Sequence, residues 1–259
     1  MTTVLHHSPI YGPVHSRRLG LSLGINLMPG DGKICNFDCV YCECGTNGQR
    51  RTNSPRPTRQ EVVAALEQSL GNMLADGRVP DVLTFAGNGE PTGHPDFPAI
   101  VDDTIRLRDR YCPKARIGVL SNATLIGRPD IFDALMKVDD NILKLDTADT
   151  YYICKVNRPQ QHGFDIGNTI ELMRKFNGHV IIQTIFMKGE VAGDDADNTS
   201  ERFVAPWLEA IRSISPSKVM IYTIDRDTPV TTLRKADKAT LDNICARVEA
   251  AGFECSVAY

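Results

Sequence analysis

DVLTFAGNGEPT, residues 81–92, reads as a strand running straight into a glycine-bearing turn. Residues 81–86 are a short apolar and β-branched run, and Gly87 and Gly89 end it. A helical pattern follows at about 97–110. Strand, turn and helix in that order make one β-α unit.

The same unit recurs on both sides of this stretch. Strand-like runs occur at 19–27, 81–86, 116–120, 141–146, 179–186, 218–224 and 253–258. Helical patterns lie between them at about 58–76, 97–110, 128–137, 165–176, 200–213 and 236–250. Thr58 with Glu61 three residues on reads as a capping box, and Gly252 as a C-terminal stop. Such alternation implies parallel strands and the α/β class. Six or so units with right-handed crossovers fit a partial (β/α)6-type TIM-like barrel, with a doubly wound open sheet as the rival. The expected organisation is a single domain over 1–259, with residues 1–18 as an N-terminal extension and 28–57 as a functional loop. Residues 189–199 (GEVAGDDADNT) read as an acidic loop, either a lid or plain solvated surface.

Composition narrows the class. A chain of 259 residues with net charge -3 has no global basic field for nucleic acid, although a local patch stays open. The start, MTTVLHHSPIYG, lacks the apolar stretch of an export signal, and no run is long enough to span a bilayer. A cytoplasmic protein with reduced cysteines and no membrane partner is expected.

Four of the 8 cysteines fall at Cys35, Cys39, Cys42 and Cys44. The first three form a C-x3-C-x2-C array that chance would place in roughly one chain in a hundred. Three thiolates cannot saturate a cubane cluster, which normally takes four, so one iron is left for an outside ligand. A zinc site completed by Cys44 is the plain alternative. The other segments with chemical potential follow later strands. Gly87-Asn88-Gly89-Glu90-Pro91-Thr92 allows close backbone approach at its glycines. Ser121-Asn122-Ala123-Thr124 offers small polar groups, or an N-cap for the next helix. Lys144 and Asp146 share a strand face, and charges inside a barrel need partners. All these points fall at strand C-terminal ends, the rim where barrel active sites are built.

The array, with aromatic Tyr41 just before its third cysteine, resembles the signature of the radical S-adenosylmethionine (SAM) superfamily. The resemblance implies a [4Fe–4S] cluster on Cys35, Cys39 and Cys42, with SAM on the open iron. Reductive cleavage of SAM would then give a 5′-deoxyadenosyl radical that takes a hydrogen atom from substrate. Gly87 to Pro91 resembles the superfamily's Gly-Gly-Glu-Pro motif, with Asn88 in place of the more frequent glycine. By the same resemblance Tyr41, Gly87, Asn88, Gly89, Glu90, Ser121, Asn122, Lys144 and Asp146 are expected around SAM. Tyr11 to Gly20, Gly24 to Asn26 and Arg226 to Pro229 resemble compact Fe–S oxidoreductases related to the tRNA wyosine-synthase group.

The resemblance also implies an external electron donor of flavodoxin or ferredoxin type. The substrate is read as a small molecule or peptide, with tRNA as the alternative. Arg17, Arg18, Arg50, Arg51, Arg56 and Arg59 would form an anion-binding rim if they border the mouth, or stay ordinary solvated arginines. A non-catalytic Fe–S or zinc protein is the remaining reading.

Overall fold

The structure is a computed structural model that describes residues 4–16 and 19–259. Arg17 and Arg18 lie outside the described residues. The strands are β1 (Ile10–Ser16), β2 (Gly20–Ile25), β3 (Val82–Phe85), β4 (Arg116–Ser121), β5 (Asp140–Lys144), β6 (Ile181–Ile185), β7 (Met187–Val191), β8 (Asp194–Asp195), β9 (Lys218–Tyr222), β10 (Leu233–Lys235) and β11 (Cys255–Ala258). The helices are α1 (Arg59–Ala75), α2 (Phe97–Tyr111), α3 (Pro129–Leu135), α4 (Thr150–Val156), α5 (Ile166–Arg174), α6 (Glu201–Ile214) and α7 (Lys238–Ala250).

Eight strands form one sheet in the order β1-β2-β3-β4-β5-β6-β9-β11. Every pairing is parallel except β1 with β2. The sheet curls into a half-barrel with β1 and β11 at its edges, which decides between the two arrangements that alternation left open. Side-chain alternation separates its two faces. Leu23, Ile25, Leu83, Phe85, Ile117, Val119, Leu143, Val219 and Ile221 join the helices in the main core. Ile142, Ile181 and Met220 face the other way and form a small cluster of their own with Leu19 and Leu120. Trp207 of α6 ties the helical layer to the sheet: its indole N–H donates to the Leu145 carbonyl at 3.1 Å and to Thr184 Oγ1 at 3.0 Å. The expected capping box at Thr58 and Glu61 is present.

Three segments differ from the sequence reading. Residues 10–16, expected within an extension, are the edge strand β1. Pro13 cannot donate to a ladder and so suits an edge, and the register shifts between Tyr11 and Val14. Residues 189–199 are largely a hairpin of β7 and β8, with β10 on the far side of β7. Its tip, Ala192 and Gly193, has φ of 54° and 85°, the double positive φ of a tight hairpin turn. Helix α4, only seven residues long, falls in a stretch with no expected element.

Candidate functional site

The cysteine loop follows β2 and is held by the turns after β3 and β5. On one side Ile34 forms a parallel bridge with Gly89. Its N–H donates to the Asn88 carbonyl at 3.0 Å, and its carbonyl accepts from Glu90 N at 3.2 Å. On the other side the end of α4 grips the array itself. Asp38 N donates to the Asn157 carbonyl and Val40 N to the Val156 carbonyl, both at 2.9 Å. Within the loop, the Asn47 amide donates to the carbonyls of Cys35 and Phe37, both at 3.1 Å.

Cys35 and Cys39 each have a nitrogen donor directed at the sulfur, and Cys42 has a buried ammonium nearby. Cys35 Sγ accepts from Phe37 N at 3.4 Å and lies 3.7 Å from Asn122 Nδ2. Cys39 Sγ accepts from Asn157 Nδ2 at 3.5 Å. Near Cys42 the Lys33 ammonium donates to the Gly45 carbonyl at 2.8 Å, and its charge favours the Cys42 thiolate. Burial, joined by the charges of Glu90 and Cys39, pushes Cys35 up to about 12, and burial pushes Cys39 up to about 11. Cys42 goes the other way, down to about 6, chiefly through the Cys44 hydrogen bond and against its own burial. Among the described residues no three His, Cys, Asp or Glu side chains close on one point as a single ion would require. A cubane gives each thiolate its own iron and asks for a wider spread. Nitrogen donors aimed at sulfur suit cluster thiolates, so the donor set fits the cubane.

The GNGEPT and SNAT segments meet around Glu90, which is 4% exposed. Its Oε1 accepts from Thr92 N at 3.1 Å, Thr92 Oγ1 at 2.6 Å and Ser121 Oγ at 2.8 Å, and its Oε2 from Asn122 N at 2.7 Å. Burial raises its pKa against the pull of these donors. The Asn122 amide donates to Asn36 Oδ1 at 2.6 Å, and its Oδ1 accepts from Thr124 N at 3.1 Å. The N-cap alternative for this segment does not hold, because α3 begins at Pro129 with Arg128 as its cap.

Asn88 takes a part that the sequence did not indicate. Its side chain accepts from His6 N at 2.8 Å and donates to the carbonyls of His6 at 2.9 Å and Pro29 at 2.8 Å. The motif's departure from glycine thus fastens the N-terminal segment to the rim. Asn88→Gly should lower stability by about 2–3 kcal/mol for these lost bonds, while SAM affinity stays within about twofold. Thermal unfolding beside calorimetric SAM titration checks both halves. The glycines on either side make room for the protein's own atoms: a Cβ on Gly87 would meet the Asn26 side chain (Oδ1 at 2.5 Å), and one on Gly89 would meet the Ile34 carbonyl at 1.8 Å.

Lys144 and Asp146 form an internal ion pair at 3.7 Å, built around Tyr41. The Tyr41 hydroxyl donates to Asp146 Oδ2 and accepts from Lys144 Nζ at 3.0 Å. Asn157 Nδ2 lies 2.8 Å from both the Tyr41 hydroxyl and Asp146 Oδ2, beside its contact with Cys39. The aromatic residue of the array is thereby locked to β5.

The radical SAM superfamily profile matches residues 31–198, more than half of the 259. The chain belongs to the radical SAM superfamily. As a radical SAM protein it uses a [4Fe–4S] cluster and SAM as cofactors. A UPF0026 protein of Helicobacter pylori is 31% identical over 224 residues, covering 84% of this chain and 66% of that protein. One from Methanocaldococcus jannaschii is 29% identical over 221 residues, covering 82% and 62%. The chain thus spans just under two thirds of the length of these curated relatives. A radical SAM methyltransferase from Sphaerobacter thermophilus superposes with a TM-score of 0.67 at 15% identity, over 92% of this chain and 66% of that one. SuiB of Streptococcus suis bound to S-adenosylmethionine gives 0.63 at 16%, over 91% and 50%. At such identities the two likenesses speak for the fold.

Two residues of this radical SAM site escaped the sequence reading. Lys33 is 5% exposed and no pattern marks it. Asn157 is fully buried, and its only local signal is its place at the end of a short helix. Of the arginines read as a rim, Arg17 and Arg18 lie outside the described residues. Arg59 pairs with Asp103 of α2 at 2.6 Å, on the helical layer. Arg226 pairs with Glu43 at 2.9 Å. Among the described residues no helix is long and apolar enough to cross a membrane.

Proposed function

We propose that this protein is a radical SAM enzyme with a single core domain, acting on a small molecule or peptide. When bound, the reduced cluster and SAM together supply a primary carbon radical able to remove a hydrogen atom from substrate. Cys35, Cys39 and Cys42 hold the cluster. Tyr41, Gly87, Gly89, Glu90, Ser121 and Asn122 shape the space for SAM, with Lys144 and Asp146 setting the position of Tyr41. The strand ends keep water and oxygen from the reacting carbon. An external one-electron donor of flavodoxin or ferredoxin type serves the site.

One observation carries this reading: three thiols, two of them met by nitrogen donors, stand beside the Glu90–Ser121–Asn122 knot at the C-terminal ends of β2 to β4. Anaerobically prepared protein, reconstituted with iron and sulfide, is expected to convert SAM to 5′-deoxyadenosine on addition of dithionite, as measured by liquid chromatography and mass spectrometry. Protein that binds one zinc and no sulfide, or binds a cluster but leaves SAM intact, would overturn it.

A further inference from the structure

A buried ammonium lies inside the cysteine loop. The Lys33 side chain is 2% exposed. Its Nζ donates to the Gly45 carbonyl at 2.8 Å, and Gly45 N in turn donates to the Cys42 carbonyl at 2.9 Å. Nζ also lies 3.5 Å from Asp38 Oδ1, on the residue just before Cys39. Its charge favours the thiolate of Cys42. The cation is therefore wedged between the turn that carries Cys42 and the residue that leads into Cys39. Asp38 offsets it only in part, since the same Oδ1 also accepts from Asn47 N at 2.7 Å.

Such a cation has no clear use in stability. A lysine ammonium is strongly hydrated, and removing it from water is unfavourable unless charge compensates. A loop pin for Gly45 needs only a neutral donor. What needs a positive charge is a group whose own charge becomes more negative. A cubane on three thiolates gains one negative charge on one-electron reduction. Hydrogen bonds to the sulfurs, net charge and burial are the levers by which a protein sets a cluster's potential. At low local dielectric a cation held in the loop that carries the ligand sulfurs acts strongly on that charge.

We infer that Lys33 is a positioning residue that holds a fixed positive charge against the Cys42 corner of the cluster and raises its reduction potential, with Asp38 trimming the effect. This rests on the cluster reading above. It assigns Lys33 no contact with substrate.

The test is a potentiometric titration of reconstituted protein, followed by electron paramagnetic resonance, with iron and sulfide measured on each sample. Lys33→Met should lower the fraction reduced at a fixed potential by about tenfold, a downward shift of ~59 mV for a one-electron couple. Lys33→Arg, which keeps the charge, should stay close to wild type. Asp38→Asn, which keeps an acceptor for Asn47 and removes the opposing charge, should shift the midpoint upward. A purely structural role would not give shifts of opposite sign. An unchanged midpoint in Lys33→Met with full iron content would overturn the inference, as would an equal downward shift in Lys33→Arg. Should Lys33→Met fail to retain its cluster, Asp38→Asn decides: an upward shift supports the inference, and no shift or a downward one overturns it. Wild-type protein that holds no cluster would instead sink the cluster reading itself, so the two failures are told apart.

Discussion

Gly89→Ala should yield protein that takes up less than a tenth of the wild-type iron and sulfide and unfolds at a lower temperature. Gly89 has a φ of 142°, a region that side chains rarely adopt. A Cβ there would lie 1.8 Å from the Ile34 carbonyl oxygen and 2.5 Å from its carbon. Both partners are backbone, so no rotamer change relieves the clash. Ile34 must move away, breaking its bonds to Asn88 and Glu90. Two lost bonds at about 1 kcal/mol each add to about 1–3 kcal/mol of backbone strain. Cys35 is the next residue and moves with Ile34. Gly93→Ala is the control, because a Cβ there meets nothing within 4 Å. Full cluster content and an unchanged melting temperature in Gly89→Ala would refute the account.

Asp146→Ala should destabilise the protein by about 3–5 kcal/mol, the usual range for removing one partner of a buried ion pair. Asp146 is 1% exposed and serves Tyr41, Asn157 and Lys144 through Oδ2, and Ile185 N at 3.2 Å through Oδ1. Without it the ammonium of Lys144 loses its counter-charge, and the Tyr41 hydroxyl loses its acceptor. In a chain of this size the melting temperature should fall by roughly 10 °C. The double variant Lys144→Met with Asp146→Leu should recover part of that loss, since well-packed apolar replacements of buried pairs are often neutral. A single variant that melts with the wild type would show that the pair carries no structural weight.

How much of this was legible in the sequence follows from where each signal is stored. The strands announced themselves because a parallel sheet covered on both faces needs runs such as the IIQTI of β6, buried throughout. Helix α1 did so through Thr58 and Glu61, whose partnership is local. The cysteines and the two loop motifs were found because their spacing is itself the signal. β1 was hidden because Gly12 and Pro13 interrupt it, as an edge permits. The β7–β8 hairpin was hidden behind polar residues such as Glu190, Asp194 and Asp195. Asn88 could be seen as a departure from a motif, yet its reason lies 82 residues away at His6. Lys33 and Asn157 became visible only once distant segments met, because neither belongs to any periodic pattern.

The grip of α4 on the cysteine loop bears on the order in which the molecule is made. Asn157 and Cys39 are 118 residues apart, and Tyr41 and Asp146 are 105 apart. Contacts this distant form only after the intervening chain has been ordered. A growing polypeptide still short of Asn157 has its three cysteines but not the groups that orient Cys39 and Tyr41. Iron delivered during synthesis would therefore meet an unfinished seat, and loading belongs after β5 and α4 have left the ribosome.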